Sequence, residues 1–271
     1  MTPPRIKIPA GATLAWYSAF LLTVAVFLIF TGQWVFFTGQ ASAAVTVGNA
    51  TQDESGTSPL TIAHTISSTS TDPYLVVGIL GASTDLVTDV TYRGASMTLL
   101  KKLQNNNGAG RWVYLYGYAP TSTGVGNVVV TASTADFLAA VASSFSDVLK
   151  TGSVTGTNPD ATKTSYALTV NTSSTGAFFI GHFYADAGGQ AAGADTVLRL
   201  AEEAGASEAY MSVAPLGAPG SYALNTTMTA SNITQLMVEL DPTVTAAAAA
   251  ADLDPVPISG GISDNGGAMS I

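Results

Sequence analysis

Bulky side chains alternate along residues 112–118, and this pattern constrains the fold more than any other feature of the chain. The segment reads Trp-Val-Tyr-Leu-Tyr-Gly-Tyr. Successive side chains of a β-strand point to opposite faces, so the aromatic residues share one face and the aliphatic residues between them take the other. The aromatic set is Trp112, Tyr114, Tyr116 and Tyr118. Both faces are largely apolar, which predicts a central strand of a two-layer β fold.

Short strand-like segments separated by turn signals continue this pattern from residue 45 to residue 242. Besides 112–118, the predicted strands cover 60–66, 74–80, 87–92, 96–103, 127–131, 165–170, 177–184, 196–200, 208–213, 222–230 and 233–240. Residues 137–149 contain enough alanine for a helix, but their alternation and their neighbours favour a strand. The predicted turns and loops cover 93–94, 104–110, 121–126, 151–163 and 186–194.

These strands have no amphipathic helix between them. A dozen or so short strands in succession predict an all-β fold, namely an antiparallel two-sheet β-sandwich of jelly-roll type over residues 44–242. The last 29 residues (271 − 242), 243–271, contain a six-alanine run and a Gly/Ser/Asn-rich end. This composition predicts a low-complexity, disordered tail, with a peptide that orders on a partner as the alternative.

The first 43 residues predict export. Arg5 and Lys7 precede a stretch without charge that extends to residue 52, and residues 14–37 are almost continuously apolar. A helix over 14–37 would be about 36 Å long at ~1.5 Å per residue, enough to cross a ~30 Å hydrocarbon core.

Two interpretations of this N-terminal helix remain open. It is either a signal peptide cleaved after Ala43 or an uncleaved anchor that holds the chain in the membrane. A buried core helix is disfavoured, because the segment has neither a charge nor an amphipathic stripe. Both main interpretations place residues 44–271 outside the membrane, extracellular or on the cell surface.

Composition excludes several classes of function. The chain has 271 residues and no cysteine, which rules out thiol catalysis and cysteine-ligated metals. Its formal charge is −9, and without Arg5 and Lys7 the remainder carries 7 basic against 18 acidic residues, or −11. An acidic body is repelled by phosphate backbones, which argues against nucleic-acid partners.

Several motifs resemble those of a bacterial, phage and metagenomic family of concanavalin-like, or jelly-roll, β-sandwich proteins. The matching segments are residues 90–100 (VTYRGASMTLL), 111–116 (RWVYLY), 119–124 (AP-x-x-x-G), 128–131 (VVVT), 142–148 (ASSFSDV) and 237–242 (MVELDP). The resemblance spans about residues 45–242 and implies a sandwich found in surface or virion proteins, mostly without an assigned activity. The chain departs from the family pattern at Arg93 and Asp147, where the family has glycine.

Candidate catalytic residues are few. His64 and His182 both lie in apolar strand segments, where a core or half-exposed role is the simpler interpretation. Asp186 follows His182 by four residues, but no G-x-S-x-G nucleophile elbow accompanies the pair.

Acidic residues suggest two weaker hypotheses. Glu202, Glu203 and Glu208 form the densest acidic cluster, and two carboxylates at a suitable separation can hydrolyse glycosides, although a solvated loop explains the cluster as well. The candidate calcium ligands are either Asp85 with Asp89, or Asp252, Asp254 and Asp264. Neither set has the spacing of a calcium-binding loop.

The tyrosine row offers one binding hypothesis. Tyr114, Tyr116 and Tyr118 would form a sugar-stacking platform if they faced solvent, and core if they faced inward, which we favour. Four N-x-S/T triplets, at Asn49, Asn171, Asn225 and Asn232, would accept glycans in a host with that machinery.

Taken together, these features predict an exported, non-enzymatic structural or adhesion module of a cell surface or virion, without a required cofactor. The predicted partners are glycans or other surface or virion proteins, and the membrane through residues 14–37 if these are not cleaved. The alternatives are a lectin-like carbohydrate-binding domain and, less favoured, a glycoside-active enzyme.

Overall fold

Antiparallel strands make up most of the chain that the structure describes. The computed structural model describes residues 44–81, 84–105, 110–158, 162–185, 191–202, 207–213 and 219–243. None of these residues is helical, and all of them belong to one compact unit. The all-β, antiparallel class is therefore confirmed. The predicted N-terminal helix over 14–37 and the tail beyond residue 243 lie outside the described residues.

The structure contains seventeen strands in the described ranges. The first nine are β1 (Thr46–Ser55), β2 (Leu60–Ile66), β3 (Tyr74–Leu80), β4 (Val87–Tyr92), β5 (Ala95–Ser96), β6 (Thr98–Gln104), β7 (Trp112–Tyr118), β8 (Gly124–Ala132) and β9 (Leu138–Ser146). The other eight are β10 (Val148–Thr157), β11 (Lys163–Thr172), β12 (Phe178–Ala185), β13 (Ala191–Ala192), β14 (Thr196–Glu202), β15 (Ser207–Val213), β16 (Gly220–Ser231) and β17 (Ile233–Pro242).

Each segment predicted as a strand contains one, including the ambiguous residues 137–149, which hold β9 and the start of β10. Three predicted loops were wrong in part. β10 continues to Thr157, inside the predicted loop 151–163, β13 lies inside 186–194, and β8 begins at Gly124, inside 121–126. β10 is the first strand of its sheet and β13 the last of its own, and an edge strand does not need the apolar alternation that identifies inner strands.

The strands form four sheets. Sheet I has the order β2-β8-β4-β5 and sheet II the order β1-β9-β3-β7-β6. Sheet III has the order β10-β17-β12-β15-β14 and sheet IV the order β11-β16-β13. Because the described region has four sheets, the prediction of a single two-sheet sandwich was wrong.

Three apolar layers separate these four sheets. The first layer lies between sheets I and II, the second between II and III, and the third between III and IV. Strand β7 shows the arrangement, because Tyr114 and Tyr116 belong to the first layer while Val113 and Leu115 belong to the second. The predicted division of this strand into two apolar faces is confirmed. Its consequence was missed, since a strand buried on both faces needs a covering layer on each side, and here both layers are sheets.

The second half of the chain repeats the topology of the first. Sheets II and III have the same order when β1, β3, β6, β7 and β9 are matched with β10, β12, β14, β15 and β17. Sheets I and IV agree when β2, β8 and β4 are matched with β11, β16 and β13. We call residues 44–146 the first repeat and residues 148–243 the second repeat. Each is a β-sandwich of its own, and together they form a tandem pair.

Irregularities in the strands recur at matching positions, which strengthens this assignment. The register shifts between Val47 and Ala50 in β1, and between Thr151 and Val154 in the matching strand β10. It also shifts between Leu99 and Lys101 in β6, and between Leu198 and Leu200 in β14. Bulges tend to keep their place in a fold, so two shared bulges support the match between the strands of the two repeats.

Sheets II and III pack against each other across the second apolar layer. At the edges of these sheets the contacts are reciprocal, because β1 of the first repeat contacts β14 of the second and β10 contacts β6. The ring centroids of Phe145 and Phe178 lie 5.5 Å apart in the layer between sheets II and III.

At the centre of this interface, two matching positions differ in size. Gly78 is the fifth residue of β3 and His182 is the fifth residue of β12. A Cβ atom added to Gly78 would overlap the imidazole ring of His182, which is fully buried. The histidine of one repeat therefore fills the space that the glycine of the other leaves open.

This contact predicts the effect of Gly78→Ala. The added methyl group overlaps a ring that has no free space to move into, so we expect the free energy of unfolding to fall by about 1–3 kcal/mol in chemical denaturation. Gly56→Ala is the matched control, because a Cβ there meets nothing within 4 Å. If both variants unfold at the same denaturant concentration, the proposed fit between Gly78 and His182 is wrong.

Candidate functional site

The predicted tyrosine row lies mostly in the core. Tyr114 and Tyr116 are 1% and 6% exposed and belong to the layer between sheets I and II. Their rings therefore have no open face on which a sugar could stack. Tyr118, at the end of β7, is half-buried. Of the three tyrosines, only Tyr118 is placed where a ligand could contact its ring.

Asp85, a candidate calcium ligand, is engaged with a cation and a phenol. Its carboxylate forms an ion pair with Lys102 and accepts a hydrogen bond from the Tyr114 hydroxyl at 2.9 Å. The ammonium of Lys102 also lies 5.4 Å from the centroid of the Trp112 ring. Burial, and then the charges of Asp85 and Asp89, raise the pKa of Tyr116 to about 12.

The described residues contain no group of three or more His, Cys, Asp or Glu side chains that could hold a metal ion. Asp89 is exposed on β4. The alternative calcium ligands Asp252, Asp254 and Asp264 lie outside the described residues.

Both histidines are core side chains in separate layers. His64 lies on the same buried face of β2 as the first-layer residues Ile62 and Ile66, and its Nδ1 lies 2.8 Å from the Thr51 hydroxyl. His182 lies in the second layer, against Gly78. Burial lowers the pKa of His64 to about 4 and that of His182 to about 3, against a smaller opposing effect of the Ile79 backbone on His182. Asp186, the proposed partner of His182, lies outside the described residues.

The two histidines predict a loss of stability in acid. The folded-state pKa of each imidazole lies below the unfolded value of ~6.5, so the unfolded chain binds more protons in the interval between them. Their contribution is complete above pH ~6.5 and falls as the pH decreases towards about 4 for His64 and about 3 for His182.

In this interval, each histidine changes the free energy of unfolding by about 1.4 kcal/mol per pH unit, which urea denaturation at several pH values measures. His182→Leu removes one titrating group, so the free energy of unfolding should depend on pH less steeply than in the wild type, by about 1.4 kcal/mol per pH unit. An unchanged slope in that variant would contradict a neutral, buried His182.

The acidic cluster is only partly described. Glu202 of β14 and Glu208 of β15 are directly opposite each other in the strand register, as Cα partners. Glu203 lies outside the described residues.

The pocket around Tyr118 is the first of two candidate ligand sites. It has a volume of about 200 Å³ and lies beside the hairpin between β4 and β5. We call it the Arg93 pocket, and it is lined by Tyr92, Arg93, Ala95, Tyr118, Pro120, Thr121 and Ser122. The rings of Tyr92 and Tyr118 lie 6.3 Å apart and are tilted by 57°.

Arg93, which lines this pocket, has a left-handed backbone conformation. Its φ is 52° and that of Gly94 is 79°, so both residues of the two-residue hairpin loop are left-handed. The guanidinium donates five hydrogen bonds, to Ser122, Thr123 and Val125. The shortest, 2.6 Å, is accepted by the Ser122 hydroxyl. The family pattern has glycine here, and these bonds offset the strain that arginine adds.

Asp147, the second departure from the family pattern, is also left-handed, with a φ of 61°. Its carboxylate accepts a hydrogen bond from the Thr71 hydroxyl. Both departures therefore occur where glycine is the least strained residue, and both side chains form contacts that glycine lacks.

We expect Arg93→Gly to keep the hairpin but loosen the loop that the guanidinium holds. Hydrogen exchange of the Ser122–Val125 amides should become faster, while exchange in β3 stays unchanged. Arg93→Lys keeps the charge without the planar fork and should give an intermediate rate. Equal exchange rates in all three proteins would show that Arg93 does not hold this loop.

The second candidate site is a groove on sheet IV with a volume of about 390 Å³. We call it the sheet IV groove, and it is lined by Lys163, Ser165, Tyr166, Ala167, Gly193, Ala194, Asn225, Thr226 and Thr227. Asn225 donates from Nδ2 to the Ala194 carbonyl at 2.7 Å, and Thr226 accepts from Gln235 Nε2 at 2.8 Å. Sequence reasoning identified Asn225 only as a glycan acceptor and missed the rest, because Ser, Thr and Asn are common along these strands.

Glu239 forms a buried polar cluster that sequence reasoning also missed. One carboxylate oxygen accepts the Thr172 hydroxyl, and the other accepts the Ser153 amide at 2.9 Å. Asp241, two residues along, lies 3.8 Å from the ammonium of Lys150. Since both oxygens of Glu239 are engaged by the protein, the cluster serves to join β10, β11 and β17.

The N-x-S/T triplets occupy different environments. Asn49 and Asn171 are exposed, Asn225 lines the sheet IV groove, and Asn232 is half-buried. Asn49 donates a hydrogen bond to the Thr65 carbonyl at 2.7 Å.

Comparison with known proteins identifies no relative. A scan against family models, a search of curated proteins and a search of solved structures each found no match. The resemblance to concanavalin-like sandwiches therefore stays a prediction from the motifs. Within the described ranges, no helix is long and apolar enough to cross a membrane.

Proposed function

We propose that this chain is an exported, non-enzymatic β-sandwich protein that acts as a structural or adhesion module on a cell surface or virion. The observation that carries the proposal is the stacking of two sandwiches through a wide apolar layer. In this arrangement most of the bulky side chains are buried between sheets, and both histidines are buried there as well. The Thr/Ser-rich, weakly charged composition and the export segment agree with such a role.

We further propose that each repeat is a jelly roll. A jelly roll winds two Greek keys so that strands 1 and 8, 2 and 7, 3 and 6, and 4 and 5 pair. When β5 and β6 are counted as one strand that changes sheets, the first repeat has all four pairings: β1-β9, β2-β8, β3-β7 and β4-β5. The second repeat has the first three, in β10-β17, β11-β16 and β12-β15.

The N-terminal segment supplies the proposed route of export. A helix over residues 14–37 either directs secretion and is cleaved after Ala43 or stays as an anchor, and both leave the two sandwiches outside the membrane. The sandwiches themselves begin at Thr46, three residues beyond that site.

Expression of the full chain in a bacterial host with Sec-dependent export tests this proposal. We expect the protein beyond the cytoplasmic membrane, with a mature N-terminus at Ala44 in mass spectrometry if cleaved and an intact Met1 in the membrane fraction if anchored. Deletion of residues 1–43 should retain the chain in the cytosol. A full chain that stays soluble in the cytosol would contradict export.

Carbohydrate binding in the Arg93 pocket is the second candidate function. Tyr118 offers the face or edge of a half-buried ring beside the hydroxyl of Ser122. Since this hydroxyl accepts from a guanidinium, its own proton is free to donate to a ligand, and the cation strengthens that donation. Rings with adjacent hydroxyl groups suit sugars.

A glycan array with the exported protein tests this function. We expect Tyr118→Ala to lose any hit that depends on stacking, whereas Tyr118→Phe keeps it. An array without any hit for the wild-type protein would remove this function and leave the display role untouched.

A further inference from the structure

The two repeats provide an internal comparison, because the same fold is built twice from different residues. When matching strands are aligned at their first residues, Gly124 with Gly220 and Leu138 with Ile233, three apolar residues of the first repeat correspond to polar residues of the second. The pairs are Val129 with Asn225, Val130 with Thr226 and Ala140 with Gln235. These positions adjoin one another, since Asn225 and Thr226 line the sheet IV groove and Gln235 bonds to Thr226.

Burial makes these replacements costly. Thr226 is 1% exposed and Gln235 is fully buried, where the first repeat has the core residues Val130 and Ala140. A buried polar pair costs free energy relative to a packed apolar one unless its hydrogen bonds are satisfied, and proteins accept that cost chiefly at functional sites. The hydrogen-bonded pair of Thr226 and Gln235 lies on the core side of the sheet IV groove.

Gly193 brings the chain close to β16 beside the groove. Within the described residues, β13 consists of Ala191 and Ala192 and is followed by Gly193. A Cβ atom on Gly193 would lie 2.8 Å from Asn225 Cβ, so glycine allows the chain to approach β16 closely.

Charge indicates what the groove would bind. Residues 8–271 carry 7 basic against 18 acidic residues, so an exposed lysine is uncommon on this protein. Lys163 lines the groove and takes no part in the two ion pairs found among the described residues, Lys102–Asp85 and Lys150–Asp241. Among the described residues, none of those that line the groove is a carboxylate. A cation set among hydroxyl and amide groups matches a ligand that has many hydroxyls and one negative charge.

We infer that the sheet IV groove binds an acidic saccharide, with Lys163 paired to the sugar carboxylate and Ser165, Asn225 and Thr227 bonded to its hydroxyls. This site is separate from the Arg93 pocket and goes beyond the display role. It also deepens the carbohydrate-binding alternative, because it names a second site and a ligand class.

Isothermal titration of the exported protein with two acidic probes, trigalacturonate and sialyllactose, tests the inference. Their neutral counterparts are the methyl ester of trigalacturonate and lactose. We expect at least one acidic probe to bind about tenfold or more tightly than its neutral counterpart, and binding to weaken as salt is raised. If neither acidic probe binds, or if the neutral counterparts bind equally well, the inference fails.

Variants locate the site. Lys163→Met should weaken binding about tenfold and Lys163→Arg should largely keep it, while Lys101→Met, the same change of charge outside the groove, should have no effect. Asn225→Val restores the residue of the first repeat and should also weaken binding, with an unchanged thermal midpoint showing that the fold is intact. Wild-type affinity in both Lys163→Met and Asn225→Val would overturn the inference.

One further variant separates the two sites. Tyr118→Ala should leave the affinity for the acidic probe unchanged, since that side chain lies in the Arg93 pocket. If Tyr118→Ala abolishes binding and Lys163→Met does not, the ligand occupies the Arg93 pocket and the groove is not the site. Retention of the chain in the cytosol would contradict the display role without affecting these affinities.

Discussion

The structure depends on strands whose two faces are both apolar. In a two-layer sandwich, each sheet keeps one face in solvent, so strands such as β3, β7 and β12 would expose a row of large side chains. Stacking two sandwiches removes that exposure, because sheets II and III cover each other while sheets I and IV face water. Sheets buried on both faces usually have helices on them, and here other sheets take that place.

This stacking places two matching positions of the repeats in contact. Gly78 occupies one position and His182 the other, and a Cβ at Gly78 would overlap the His182 ring. Elsewhere the repeats differ, and the second repeat has the polar pair Thr226 and Gln235 beneath the sheet IV groove.

Local patterns in the sequence predicted the strands well but not their assembly. Period-two alternation identified β7 and its two faces. The structure buries Tyr114 and Tyr116, which are therefore core residues. The four-layer arrangement was missed because alternation shows that a face is buried without showing what covers it. The repeat was missed because strand order and bulges were retained while most side chains changed. The sheet IV groove was missed because Ser, Thr and Asn are common along these strands and no motif marks those that line it.

A designed disulfide between Gly78→Cys and His182→Cys tests the face-to-face packing most directly. The chain has no cysteine of its own, so any bond formed in the double variant reports on these two positions. A Cβ at position 78 would lie 2.4 Å from His182 Cγ, which is one C–C bond from the His182 Cβ. The two Cβ atoms are therefore within about 4 Å of each other, close to the ~3.5–4.5 Å separation in a disulfide. Mild oxidation followed by peptide mass mapping should therefore find an intramolecular bond joining positions 78 and 182. Free thiols, or bonds only between separate molecules, would contradict the stacking of the two sandwiches.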